Sequence, residues 1–164
     1  MKRALTITKA GDRDLVMTRE FDAPRKLVYD AHTKPDLVRQ WLLGPPGWTM
    51  PVCDMDVRVG GTYRWVWRKE TDGSEMGMGG VYREVKAPER LVSTERFDEA
   101  WYPGESLNTL VLIEQGGRTT LTQTMRYESP AAREAVIKSG MEKGVEASYD
   151  RLADVLAASA ASQR

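Results

Sequence analysis

The segment from Phe21 to Trp41 constrains the fold of this chain most, because it places two short helices directly after a strand. Pro24 suits a first helical turn, since its φ is fixed and it has no N–H to leave unpaired. Thr33-Lys34-Pro35-Asp36 ends this first helix and opens a second one that reaches Trp41. The residues that follow have the pattern of β-hairpins and one long C-terminal helix, so the sequence predicts a fold that encloses a cavity.

Size and charge narrow the class of protein. The 164 residues show no shift in composition, so we expect one domain over 1–164, with frayed ends at 1–4 and 158–164. The 24 basic and 24 acidic side chains form no long run of either sign, which argues against nucleic-acid binding and membrane insertion. Cys53 is the single cysteine, and neither a leader-like nor a membrane-spanning apolar run occurs, so we expect a cytoplasmic protein.

Runs of strand-forming residues separated by turn residues predict a sheet of about six or seven antiparallel strands. The N-terminal pair, around 5–8 and 15–21, resembles a hairpin or a folded-back edge. The Asp72-Gly73 dipeptide is a strong hairpin signal between two of the later strands. Those later strands are predicted over 51–59, 62–69, 76–86, 91–98, 107–114 and 118–127.

A long helix is predicted after Ser129-Pro130, a capping residue followed by a proline at the first helical position. Gly140 weakens its middle, so we expect a kink or a break there. Beyond that point one face is apolar and the other, which includes Asp150, is charged. The apolar face consists of Met141, Val145, Ser148, Leu152, Val155 and Leu156. A sheet with one apolar face and this helix across it gives an α+β domain.

Three rings alternate along one strand, so Tyr63, Trp65 and Trp67 share one face of the sheet. The helix opposite carries small residues at Gly140, Gly144 and Ser148, and it supplies little bulk where the rings supply much. A curved sheet with a gap under the helix would resolve this mismatch, although the same residues could instead fill a solid core. The candidate ligand-binding residues are Trp41, Tyr63, Trp65, Trp67, Met76, Met78, Phe97, Val111, Met125, Met141, Val145 and Leu152.

Several motifs together resemble a known group of proteins. They are Phe21-Asp22-Ala23-Pro24, Trp41, the strand opening 59–63, the strand 80–85, the turn 87–91 and the tail from 139 to 152. In this order they are similar to the START-like, or SRPBCC, superfamily, and within it to the group named after the activator of Hsp90 ATPase. The resemblance implies a helix-grip fold, in which a bent sheet wraps the C-terminal helix and encloses a cavity. It does not imply one reaction.

Catalytic candidates are few. His32 is the only histidine and Cys53 the only cysteine, and they lie on different predicted elements, so we expect no metal site and no cofactor. One carboxylate with a raised pKa could serve a cyclase or dehydratase, and Glu84, Glu95 and Glu114 lie on strands where one could point inward. We take His32, Tyr82 and Glu84 as the catalytic candidates.

Three functions remain open at this point. The main hypothesis is binding of a small hydrophobic or aromatic molecule between the sheet and the C-terminal helix. The second is an enzyme that resembles polyketide cyclases or dehydratases and uses a carboxylate in the cavity. The third, which follows from the resemblance, is a module that acts on a chaperone, and it would need an exposed patch on the convex face. The sequence leaves open whether an edge strand pairs across a homodimer.

Overall fold

A single antiparallel sheet forms the frame of the molecule. The computed structural model describes residues 3–99, 102 and 104–162. Its eight strands run in the order β1-β2-β8-β7-β6-β5-β4-β3. The bounds are β1 Thr6–Ala10, β2 Asp14–Phe21, β3 Trp48–Met55, β4 Thr62–Lys69, β5 Glu75–Lys86, β6 Arg90–Phe97, β7 Ser106–Gln115 and β8 Arg118–Arg126.

The sheet differs from the sequence prediction in strand number and, by three or more residues, at both ends of β3. Thr6–Ala10 pairs with Asp14–Thr18 as a full edge strand, which brings the count to eight. Strand β3 was predicted over 51–59, but it begins at Trp48 and ends at Met55. The α+β class, the strand order along the chain and the helix-grip arrangement are as the sequence predicts.

Two short helices follow β2, as the Phe21–Trp41 segment predicts. Helix α1 spans Arg25–Thr33, with Pro24 as its N-cap, and α2 spans Pro35–Trp41. The indole N–H of Trp41 donates to the carbonyl of Ala31 across 2.8 Å, which ties the end of α2 to α1.

The C-terminal helical region is broken where the glycine predicts. Helix α3 spans Pro130–Lys138 and α4 spans Met141–Ser162. The hydroxyl of Ser129 accepts from the N–H of Ala132 at 3.0 Å and caps α3. Gly140 joins the two helices at a φ of +76°, a conformation that residues with a Cβ rarely adopt.

Helix α4 extends further than predicted. It continues through Ala158 to Ser162, so most of the expected C-terminal frayed segment is helical. Residues 3 and 4 are described and belong to neither a helix nor a strand, while residues 1, 2, 163 and 164 of the predicted frayed ends lie outside the described residues.

The main core lies between the concave face of the sheet and the helices. The second half of α4 packs there through Leu152 and Leu156, which are buried beside the first two helices. An ion pair also joins sheet and helix, because the buried Arg19 of β2 donates to Asp150 of α4 at 2.9 Å. The sequence placed Asp150 on the charged outer face, but the structure turns it toward the sheet.

Candidate functional site

An apolar cavity of about 560 Å³ lies between the concave face of the sheet and the first half of α4. This volume is within the range of small-molecule sites, which run from about 300 to 1,000 Å³. The gap that the sequence predicted under the helix is therefore present, and the solid-core alternative is wrong.

The ring-bearing strand forms one wall. Tyr63, Trp65 and Trp67 line the cavity, while Arg64 and Arg68 point to the opposite face and pair with carboxylates there. The rings pack on one another along the wall, with centroids 4.6 Å apart for Tyr63 and Trp65. They leave the space beneath α4 open.

The opposite wall consists of small and medium side chains from the helical region. Gly140, Gly144 and Ser148 border the cavity, together with Met141 and Val145. A Cβ at Gly144 would meet the ring of Pro45 at 3.2 Å, so this glycine lets the loop after α2 approach the helix closely. The loop after α2 closes this side, and its Gly44 N–H donates to the Ser148 hydroxyl at 2.8 Å.

Ten of the twelve candidate ligand-binding residues line the cavity. They are Trp41, Tyr63, Trp65, Trp67, Met76, Met78, Phe97, Met125, Met141 and Val145. Met76 is also 37% exposed, which places it at the rim.

Val111 and Leu152 do not line the cavity. In β7 the inward positions are Ser106, Asn108 and Leu110, so Val111 points to the outer face. Leu152 is buried, but it lies past the cavity in the solid part of the core. The prediction had the wrong phase for β7 and extended the cavity one turn too far along α4.

Glu84 is wrong as a catalytic candidate inside the cavity. A β-bulge between Tyr82 and Glu84 shifts the register, so Tyr82 points inward and Glu84 outward. Glu84 accepts from the guanidinium of Arg90 at 3.0 Å, and its side chain is 46% exposed.

His32 and Tyr82 do border the cavity, but both are uncharged at neutral pH. Burial lowers the pKa of His32 to about 4, although its Nδ1 bonds to the carbonyl of Val28 at 2.8 Å. Burial also raises the pKa of the Tyr82 hydroxyl well above its usual range. A histidine that stays neutral and a phenol that stays protonated are poorly suited to proton transfer near neutrality.

Glu95 is the carboxyl group that reaches the cavity. It lies on β6 between Ser93 and Phe97, and all three side chains line the cavity. Burial raises the pKa of Glu95 to about 7, and the hydrogen bond from Asn108 offsets only part of this effect. Among the described wall residues, Glu95 alone therefore titrates near neutral pH.

Polar groups and rings surround Glu95. The amide Nδ2 of Asn108 donates to its carboxyl at 2.8 Å. The charge of Glu95 adds to burial in raising the pKa values of the Tyr63, Tyr102 and Tyr127 hydroxyls, so these phenols lie near it. Sequence reasoning left Glu95 open beside Glu84 and Glu114 and did not find Asn108, Tyr102 or Tyr127.

Potential metal-ligating side chains are dispersed in the described part of the chain. Three or more histidine, cysteine, aspartate or glutamate side chains do not come together there in a way that could hold a metal ion. Cys53 is buried, and burial raises the pKa of its thiol.

Among the described residues, helices of a length and apolarity that could span a membrane do not occur.

A curved antiparallel sheet, a helix gripped against its concave face and a cavity between them define the helix-grip class. Within that class the chain belongs to the family described as activator of Hsp90 ATPase homolog 1-like proteins, whose model matches residues 22–157. No curated protein matches the chain at a significant level.

Solved structures from several bacteria share this fold. A protein from Rhodobacter sphaeroides is 34% identical, with 94% of this chain and 98% of that chain covered and a TM-score of 0.88. Protein CV1439 from Chromobacterium violaceum is 27% identical, with 89% and 98% covered and a TM-score of 0.78. Protein NE0264 from Nitrosomonas europaea is 24% identical, with 93% and 99% covered and a TM-score of 0.81, and it supports the fold alone.

Proposed function

We propose that this protein binds a small hydrophobic or aromatic molecule in the cavity between the sheet and α4. The observation that carries the proposal is the 560 Å³ space in front of Trp65 and Trp67, enclosed mainly by rings and methionines. Burial of apolar ligand surface contributes roughly 25 cal/mol per Å², which provides affinity without a covalent step.

A binding titration with Nile red, a neutral apolar dye, tests this proposal. We expect the dye to bind the native protein and its fluorescence to rise as it leaves water. The variant Val145→Trp places a large ring in the cavity, and we expect it to weaken binding by about tenfold or more, which corresponds to about 1.4 kcal/mol.

Glu142→Trp is the matched control, because Glu142 lies exposed on the same helix and away from the cavity. Thermal unfolding establishes that both variants are folded. Dye affinity that is unchanged by Val145→Trp would show that the dye binds elsewhere and would refute the cavity as the site. Mass spectrometry of small molecules that co-purify with the native protein then identifies the natural occupant.

A second candidate function is a reaction that uses Glu95 as a general acid or base. The observation in its favour is a carboxyl inside an apolar cavity with a pKa of about 7, close to the value that proton transfer at neutral pH requires. Under this hypothesis Glu95→Gln keeps Nile red binding and abolishes dehydration or ring closure of an aromatic polyketide substrate, followed by mass spectrometry. Turnover that survives Glu95→Gln would eliminate Glu95 from the chemistry.

The third hypothesis, action on a chaperone, follows from the family and stays a prediction. Leu107 and Ile113 lie exposed on the outer face of β7, at 39% and 61%, and would be the first residues to change in a test. Homodimer formation also stays a prediction.

A further inference from the structure

The cavity wall contains one carboxyl group and lacks a basic partner for it. Glu95 receives one hydrogen bond from the described residues, the 2.8 Å contact from Asn108 Nδ2. Lysine and arginine side chains do not occur among the described residues that line the cavity. An ionised Glu95 is therefore a half-buried negative charge on the wall of an apolar cavity without a counter-ion, and a cation in the cavity would stabilise it.

The neighbouring amide holds the carboxyl group in place. Asn108 is 94% buried and its Nδ2 donates to Glu95, while its Oδ1 is enclosed and has no surface that a ligand could reach. The carboxyl of Glu95 is therefore the acceptor that faces the cavity. A ligand that brought only a carbonyl oxygen would offer this carboxyl no donor, whereas an ammonium group brings three N–H donors and a positive charge.

The surrounding rings suit a cation as well. The hydroxyl-bearing rings of Tyr63, Tyr102 and Tyr127 lie near Glu95, and Tyr102 and Tyr127 pack edge to face with centroids 5.4 Å apart. Phe97 follows on the same face of β6. Aromatic rings around a carboxylate stabilise an alkylammonium ion through their π faces and tolerate its apolar body.

We propose that the cavity binds a hydrophobic primary amine, with its ammonium group at Glu95 and its apolar body against Trp65 and Trp67. This inference rests on the proposed function and specifies its ligand class. The rim at Met76 and the walls of the cavity then select for size and apolarity, while Glu95 selects for charge.

A matched pair of probes tests the charge requirement. 1-Naphthylmethylamine and 1-naphthylmethanol have nearly the same shape and differ in an ammonium against a hydroxyl group. We expect isothermal titration calorimetry to show the amine binding about tenfold more tightly at about pH 8, where Glu95 is ionised and the amine, like lysine, is protonated. We expect that advantage to shrink at about pH 6, where Glu95 is protonated and the amine is still charged.

Glu95→Gln keeps the size and hydrogen-bonding character of the side chain and removes the charge. We expect it to abolish the preference for the amine and its pH dependence, and to change the affinities for 1-naphthylmethanol and Nile red much less than that for the amine. Glu84→Gln is the matched control, because Glu84 is an outward-facing carboxylate paired with Arg90, and it should leave the preference intact.

The outcomes separate the two proposals. Equal affinity for amine and alcohol, or a preference that survives Glu95→Gln, would overturn the amine proposal and leave apolar binding in place. Binding of Nile red without binding of the amine would also overturn it. Failure of Nile red and both naphthyl probes to bind would overturn the proposed function itself.

Discussion

At the scale of single residues, the same cavity raises the pKa of Glu95 and lowers the pKa of His32. Burial disfavours the charged form of each group, so the pKa of Glu95 rises to about 7 and that of His32 falls to about 4. Both side chains are therefore mostly uncharged in the folded protein at mildly acidic pH.

The raised pKa of Glu95 makes a prediction about stability. Its usual value is 4.5, so between about pH 4.5 and pH 7 the unfolded chain ionises Glu95 while the folded protein keeps the proton. The free energy of unfolding therefore falls as the pH rises through this window, by up to about 3 kcal/mol. Glu95→Gln removes this loss, so we expect its melting temperature to exceed that of the native protein at about pH 8, at about 2–4 °C per kcal/mol.

The difference between native and Glu95→Gln proteins should be small near pH 4.5 and vanish about one pH unit below it, where the unfolded chain also holds the proton. Thermal unfolding followed by circular dichroism across the window measures it, with Glu84→Gln as the control. A variant that is less stable than the native protein at alkaline pH would contradict the raised pKa of Glu95 in the folded protein.

His32 acts in the opposite sense. Its folded pKa of about 4 lies below its usual value of 6.5, so the unfolded chain gains a proton first as the pH falls through this range. The contribution of His32 therefore lowers the free energy of unfolding as the pH falls, while the contribution of Glu95 raises it. The two contributions oppose each other in the native protein. Glu95→Gln removes one of them, so we expect this variant to lose stability more steeply than the native protein on acidification.

At the scale of elements, the contact between β2 and α4 depends on an ion pair of unequal burial. Arg19 is 1% exposed, and its Nε and one terminal nitrogen have no partner among the described residues, while the side chain of Asp150 is 41% exposed. The guanidinium also lies over the ring of Phe21, at 5.2 Å from its centroid. Asp150 is therefore the main group that compensates a charge inside the core.

We expect Asp150→Asn to destabilise the protein by about 2–3 kcal/mol, because it leaves the buried guanidinium without a counter-charge. The value lies below the roughly 3–5 kcal/mol typical of breaking a fully buried pair, since the carboxylate itself is partly screened by solvent. Urea unfolding measures the change. Glu146→Gln, an exposed carboxylate one turn earlier on α4, serves as the control and should have little effect.

A double variant separates charge from shape. Arg19→Met with Asp150→Asn removes the stranded charge, so we expect it to recover much of the stability that Asp150→Asn loses. If the double variant is as unstable as the sum of its parts, the pair acts through packing and not through charge compensation.

At the scale of the whole molecule, the empty cavity lowers the stability of the fold, and a bound ligand restores it. The space between sheet and α4 leaves its walls without packing partners, so the empty protein lacks contacts that an occupant supplies. Binding to the folded state alone stabilises it by mass action, by about 2.7 kcal/mol when the ligand is present at 100 times its dissociation constant.

We therefore expect 1-naphthylmethanol near saturation to raise the melting temperature of the native protein by about 5–10 °C. Val145→Trp, which fills the same space, should show a much smaller rise, and Glu142→Trp should respond like the native protein. An equal shift in all three proteins would indicate binding outside the cavity.

Much of the site followed from period-two alternation, and its failures have particular causes. Glu95 lies two residues before Phe97, a predicted wall residue, so alternation alone would have placed it inside. Glu84 was misplaced because the bulge after Tyr82 reverses the phase, and bulges leave no clear mark in the sequence. Val111 lies in the continuous apolar run from Leu110 to Ile113. Because this run does not alternate between apolar and polar residues, the sequence does not show which of its side chains point inward.

The sequence by itself determined the elements and their order, because proline, glycine and apolar periodicity act over a few residues. It also predicted a gap between large rings on the sheet and small residues on the last helix, but it left open a solid core made of the same residues. Only the tertiary structure decided which side chains meet in that gap: Asn108 of β7 and Tyr127 after β8 reach Glu95 of β6 through strand pairing. The burial that raises the pKa of Glu95 arises from contacts between segments far apart in the chain, and local sequence carries no record of them.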